Sequence, residues 1–281
     1  MKIHRHTVIL VILSCFPVSA VAQVDADEWQ FELTPYIWLP TIDGTLTYGP
    51  PPGGGGGPSV SVGPTDWLDL INAGLLINGN ARKDRFSLFT DLVYLSLQSK
   101  NDRVLSVFGN LPGGPTTIPV SANATLNSQS DLDGLIWTLA AGYTMKNTGT
   151  MVVDLYAGVR YLGLDASTRW SLVGDITTPD GTLLLDAQGG IEAGTDLTDA
   201  IVGSRGYFGV GATKAWTVPF SIDVGAGSSD VTWNAMLGLS RVYDWGDLML
   251  VYRHLAYDED GSGLMQDFSF SGPAFGARFR F

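Results

Sequence analysis

The chain has 281 residues and a net charge of −12, with 28 acidic side chains against 16 basic ones. That balance excludes a nucleic-acid-binding surface, because a polyanion would be repelled. Hydrophobic residues make up 45% of the chain, yet no run reaches the ~18 unbroken apolar positions of a membrane-spanning helix. Apolar content without long apolar runs is what alternating strands produce.

Lys2 and Arg5 precede an apolar run from Val8 to Leu13, and Ala20-Val21-Ala22 offers a small-x-small cleavage site. Residues 1–22 read as a secretory signal peptide and residues 23–281 as the mature chain. A lipoprotein site at Cys15 fits less well, because Leu13 suits that pattern poorly and the apolar run would be cut short. Cleavage after Ala22 removes the only cysteine, which excludes disulfides and thiol catalysis. It also leaves His254 as the one histidine, and 14 basic residues against 28 acidic, a net charge of −14.

Trp29, Phe31, Leu33, Ile37 and Leu39 alternate with Gln30, Glu32 and Thr34, which predicts a first strand with one apolar face. Thr41 to Leu68 contains Pro50-Pro51-Pro52 and the Gly53–Gly57 run, and reads as a long loop. Strands follow over about Asp69 to Arg82 and Arg85 to Leu97, joined by a turn at Lys83-Asp84. Asn101 to Ser130 is polar and reads as a second loop. Leu135 to Tyr143 alternates, Lys146 to Gly149 turns, and Met151 to Tyr161 alternates again. Asp165 to Thr195 reads as a third excursion, part of which extends the hairpin. Asp196 to Val210, Trp216 to Val224, Trp233 to Leu239, a strand from Leu248 and a last one over Leu264 to Phe281 complete the series.

The count is about ten strands, within eight to twelve, in an all-β, antiparallel, up-and-down transmembrane β-barrel. Connections after even strands are short and several after odd strands are long, as periplasmic turns and outer loops differ. Trp29, Tyr143, Trp216, Tyr243 and Phe281 fall near one end of their strands, and Tyr94, Tyr161 and Trp233 near the other. Two such girdles suit membrane interfaces.

Eight charges fall on the inward register: Asp91, Asp154, Arg160, Arg205, Asp223, Arg253, Arg278 and Arg280. A narrow lumen is filled by side chains, so these form a salt-bridged plug, with a constriction for a small anion as the functional alternative. His254 falls on the lipid side, because the opposite register would put Arg253 in lipid. Asp258, Asp260 and Ser262 occupy positions one, three and five of a calcium-loop pattern, but Ser269 stands where its bidentate Glu belongs. The expectation is no cofactor beyond a weakly bound Ca2+ there. The Gly53–Gly57 run lacks the Lys-Ser/Thr of a phosphate loop.

The final segment, with Phe275, Phe279 and Phe281 on one face, resembles the closing strand of bacterial outer-membrane barrels, which the barrel assembly machinery reads. Residues 28–44 (EWQFELTPYIWLPTIDG), 77–97 (INGNARKDRFSLFTDLVYLSL), 156–164 (YAGVRYLGL) and 268–281 (FSFSGPAFGARFRF) resemble a family of uncharacterised proteobacterial outer-membrane β-barrel proteins. The resemblance implies a multi-pass protein of a Gram-negative outer membrane, in contact with its lipid and lipopolysaccharide, and brings no catalytic residues. The expected role is non-enzymatic: structural, binding or limited solute passage. A porin or uptake channel and a surface hydrolase or acyltransferase are the alternatives.

Overall fold

The computed structural model describes residues 28–46, 59–113, 116–178, 181–211, 215–258 and 265–281. The expected signal peptide, Asp260 and Ser262 lie outside them. Within them are twelve strands: β1 (Gln30–Trp38), β2 (Thr41–Leu46), β3 (Ser59–Val62), β4 (Ile71–Lys83), β5 (Phe86–Gly113), β6 (Thr116–Asn147), β7 (Met151–Thr178), β8 (Gly181–Val210), β9 (Trp216–Gly227), β10 (Val231–Tyr243), β11 (Gly246–Asp258) and β12 (Met265–Arg280). A four-residue helix, α1 (Pro64–Trp67), precedes β4.

Ten of these strands, β1 and β4 to β12, pair in sequence order and close on themselves through β1–β12. All pairings are antiparallel, so the fold is a closed ten-stranded up-and-down barrel. Closure leaves no unpaired edge in the barrel wall. The seam runs through Phe281, whose N–H donates to the Phe31 carbonyl at 2.9 Å while the Phe31 N–H donates to the Phe281 carbonyl at 3.1 Å.

Both termini of the barrel share one end with its tight turns. Asp84 takes a positive φ of 51° in the turn between β4 and β5, and Gly149 takes 70° in the turn between β6 and β7, a region glycine enters without a Cβ penalty. At the opposite end the wall is uneven. β4, β10 and β11 have 13 residues each, whereas β5 to β8 have 28 to 32. About ten residues cross a bilayer core as a tilted strand. Four strands therefore continue past the barrel as a projecting sheet, about 16 residues beyond the Ile71–Leu97 pair in β5, or about 50 Å.

This projection corrects the expected loops at Asn101–Ser130 and Asp165–Thr195. Both segments lie in continuous ladders, from Gly113–Thr116 down β5–β6 and from Thr178–Gly181 down β7–β8. Thr41 to Leu68 is also corrected in part. β2 follows β1 after a break at Leu39-Pro40, pairs with β12, and turns back on β3. The break lets β12 serve both segments. A Cβ on Gly272 would stand 2.2 Å from the Leu39 carbonyl oxygen, so only glycine admits this approach. Trp67 of α1 is buried and donates its indole N–H to the Pro40 carbonyl at 3.1 Å.

Side chains of the wall alternate along most strands. Ile37, Val202, Ile222, Leu237 and Leu250 are each more than half exposed on the outer face. Their neighbours in sequence point into the barrel, where the core lies.

Candidate functional site: a two-storey lumen

The inward register meets two chemistries along the barrel axis. Toward the projecting sheet it is apolar. Trp38, Leu162, Leu197, Leu255, Phe268 and Phe270 belong to one buried cluster drawn from β1, β7, β8, β11 and β12. Tyr257 and Phe268 stack at 4.9 Å between centroids, and Phe270 meets Phe268 edge-on at 5.9 Å. Leu162 and Leu255 have no exposed surface. This storey is a packed plug.

Beneath it lies a polar partition. The Tyr36 hydroxyl donates to Asp91 Oδ1 at 2.8 Å, and Arg253 donates to Asp91 Oδ2 at 2.8 Å and to Asn234 Oδ1 at 3.0 Å. Asn234 donates in turn to Asp223 Oδ2 at 3.0 Å, which also accepts from the Tyr156 hydroxyl at 2.7 Å and from Arg160 at 2.9 Å. The chain of bonds runs from β1 through β5, β11, β10 and β9 to β7, across the whole lumen. Arg160 is 2% exposed and its pairing with Asp223 is the condition for burying its charge. Arg253 also covers the Trp38 ring at 4.8 Å, joining partition to plug.

Below the partition the lumen is not filled. A cavity of about 540 Å³ reaches the end where the turns lie, and Gln30, Asn147, Gly149, Gly209 and Thr217 line that end. On one wall Arg82 and Thr144 hold Asp154, and Arg205 approaches the same carboxylate at 3.8 Å. Arg205 also donates to Asn80 and lays its guanidinium 3.8 Å above the Phe89 ring centre. On the facing wall Arg278 and Arg280 share Glu32 and Asp247, with Arg278 at 3.6 Å from Asp247 and Arg280 at 3.7 Å from Glu32. Asn80 links the walls by donating to Glu32 at 3.0 Å.

All eight charges singled out in the sequence point inward here, in three groups rather than one: Asp91, Arg160, Asp223 and Arg253 in the partition, Asp154 and Arg205 on one wall, Arg278 and Arg280 on the other. Sequence reasoning passed over Arg82, Glu32, Asp247, Tyr36 and Tyr156. Tyr156 was within reach, two residues from Asp154 and four from Arg160 on the same register, and Glu32 shares the polar face of the first strand; Arg82, Asp247 and Tyr36 lie six or more residues from any chosen residue, and only the closed barrel joins them to the network.

The remaining candidates lie outside the lumen. Phe275 and Phe281 are exposed on the outer face, and Phe279 packs against Trp245 at 5.5 Å. His254 also faces outward, its ring tilted against Trp233 with centroids 4.4 Å apart. Its Nδ1 contacts the hydroxyl of Ser271, its direct partner across β11–β12. No spacing in the sequence pointed to that pair; strand register creates it. Asp258 stands at the far end of β11, where a hydrogen bond with Asp267 raises its carboxyl above the usual range, aided by the Asp267 and Asp230 charges. Among the described residues no group of three His, Cys, Asp or Glu is placed to hold a metal ion.

No protein-family model and no curated protein sequence matches the chain. Solved structures do. The outer membrane protease OmpT from Escherichia coli is 9% identical over 91% of this chain and 97% of its own, with a TM-score of 0.44. A deltaS2S3 mutant of the monoaromatic hydrocarbon channel TodX is 13% identical over 91% of each chain, with a TM-score of 0.34. The attachment invasion locus protein Ail of Yersinia pestis is 7% identical over 90% of this chain and 99% of its own, with a TM-score of 0.29. All three are barrels of outer-membrane type with different roles, and at these values no role passes from them to this chain.

Proposed function

We propose that this chain is an integral outer-membrane barrel of a Gram-negative bacterium, non-enzymatic, sealed toward the cell surface by its apolar plug and open as a binding cavity toward the periplasm. The observation that carries the reading is the distribution of charge and grease across the barrel wall. Large apolar side chains are exposed on the outside, while the charges of the same strands are turned into the lumen. Only a lipid solvent makes that sorting favourable, because exposed apolar area of this extent is unfavourable in water and charge on the lipid face costs ~2–4 kcal/mol at the midplane. The end bearing the termini and tight turns is the periplasmic one.

The test is fractionation with topology. The protein should sediment with outer membranes and show heat-modifiable gel mobility. An epitope inserted between Gly55 and Gly56 should be reached by antibody on intact cells, and one after Asn147 only after permeabilisation. Recovery in the soluble periplasm, or equal labelling at both sites, would overturn the reading.

The His254–Ser271 contact favours a second reading, a surface hydrolase or acyltransferase with Ser271 as nucleophile and His254 as base. Under it a fluorophosphonate probe labels the folded wild type and not Ser271→Ala. Absence of labelling leaves the non-enzymatic reading standing.

A further inference from the structure

We propose that the inner cavity binds a small hydroxylated monocarboxylate, such as a sugar acid, with its carboxylate on Arg205 and a hydroxyl on Asp247. The inference rests on the proposed barrel reading only for the side from which the ligand arrives.

The charge balance of the cavity comes first. Six arginines line it, Arg82, Arg160, Arg205, Arg253, Arg278 and Arg280, against the five carboxylates of Glu32, Asp91, Asp154, Asp223 and Asp247. The surplus is one positive charge, and its location is specific. The partition pairs two arginines with two carboxylates, as does the Arg278/Arg280 wall. On the third group a single carboxylate, Asp154, serves both Arg82 and Arg205.

Arg82 is the better partner of the two. It donates to both oxygens of Asp154, whereas Arg205 reaches only one, from Nε at 3.8 Å. The rest of the Arg205 guanidinium is held without being neutralised: one terminal nitrogen donates to Asn80 and its face rests on Phe89. The other terminal nitrogen has no partner among the described residues. A planar guanidinium fixed by its neighbours with a free N–H edge is a donor pair preset for a carboxylate. One surplus charge selects a monoanion. A dianion would leave one negative charge without a partner among the cavity's side chains.

Asp247 supplies the second handle. Its side chain is 2% exposed, one oxygen takes the two arginines of β12, and Oδ1 is buried with no hydrogen bond among the described residues. A buried acceptor without a donor is unfavourable, and a ligand hydroxyl would satisfy it. Thr217, Ser221 and Asn78 on the same lining offer further hydrogen-bonding groups, and Phe220 and Met249 beside them would meet the ligand's carbon chain. Water fills whatever part of the volume the ligand leaves.

The test is calorimetry on the full chain folded in detergent, with gluconate, glucose, glucosamine, acetate and inorganic phosphate as probes. Gluconate should bind saturably, more tightly than acetate, while glucose and glucosamine should give no saturable heat in the same range. Arg205→Gln should weaken gluconate at least about tenfold, and Arg205→Lys should keep part of the affinity. Asp154 retains Arg82 in both variants, so each should still fold, and heat-modifiable mobility checks that directly. Asp247→Ala should erase the advantage of gluconate over acetate. Equal binding of glucose and gluconate, tighter binding of phosphate, or wild-type affinity in folded Arg205→Gln would overturn the inference. None of those outcomes touches the membrane reading, and failure to reach the outer membrane would not touch the cavity.

Discussion

On one side of Arg160 and Arg253 the inward side chains are mainly Leu, Phe, Trp and Tyr; on the other, Arg, Asp, Asn and Thr share the wall with Phe89, Phe220 and Met249. The same ten strands and the same alternating register supply both storeys. Apolar side chains gain from any contact, so they interdigitate until no space remains. Charged side chains gain only from partners at set distances and angles, so they arrange themselves in pairs and leave a cavity between the pairs. A barrel can therefore be sealed at one depth and hollow at another without changing its strand count.

The largest effect is expected in the partition between the storeys. Asp223→Ala should strip Arg160, Tyr156 and Asn234 of a shared acceptor and leave a buried guanidinium unpaired. The expected loss is about 3–5 kcal/mol, read from urea unfolding of the lipid- or detergent-embedded barrel. Pairing it with Arg160→Met should recover a substantial part, since the uncompensated charge is then gone. A double variant no better than the single one would mean that the loss came from packing.

In the plug the mechanism is different. Leu255→Ala opens a hole in a fully buried cluster and should cost about 2–5 kcal/mol with no rescue by any charge change. A loss below about 1 kcal/mol would mean that this storey relaxes and is not a packed core.

A smaller effect tests where the two storeys meet. The Tyr257 hydroxyl is buried and without a hydrogen-bond partner among the described residues. Tyr257→Phe should therefore be neutral or stabilising by up to about 1 kcal/mol in the same assay. A clear destabilisation would show that the hydroxyl is satisfied by water at the partition.

The smallest expected effect lies outside the barrel. The folded state raises the Asp258 carboxyl, so it holds the proton more tightly than the unfolded chain does. Its favourable contribution is fully present below the ordinary carboxylate range and is lost as pH rises through the raised value. Asp258→Asn removes that loss. The variant should gain on the wild type as pH rises above the ordinary carboxylate range of about 4 and converge with it at lower pH. A difference independent of pH would exclude the pairing with Asp267.

The barrel wall was legible because each strand there faces two solvents. Phe31 with Glu32 or Ile222 with Asp223 shows the alternation directly, and it set the register and strand count. The projecting sheet was not legible for the converse reason. Ser121 to Ser128 of β6 and Asp186 to Thr195 of β8 alternate only weakly, through Ala122, Ala124 and Leu126 and through Ala187, Ile191 and Ala193, so little apolar area marks a buried face, and the Ser, Asn and Gly content reads as loop. The same limit applies to the lumen. Alternation says that Arg82 and Arg205 point inward; the β7–β8 register sets Arg205 directly opposite Asp154, whereas Arg82, 72 residues away in sequence on β4, reaches it only across the closed barrel. The Gly272 approach that lets β12 pair with β1 and then β2 was hidden too, because Thr41 to Leu68 read as a loop.

If the outer storey closes the lumen, single-channel recording in planar bilayers will show it. Wild-type protein, folded and inserted as shown by heat-modifiable mobility, should give no steady conductance above the bilayer baseline, and Leu255→Ala combined with Phe268→Ala should give brief openings. Large, long-lived ohmic channels in the wild type would contradict the seal and make the protein a porin or uptake channel.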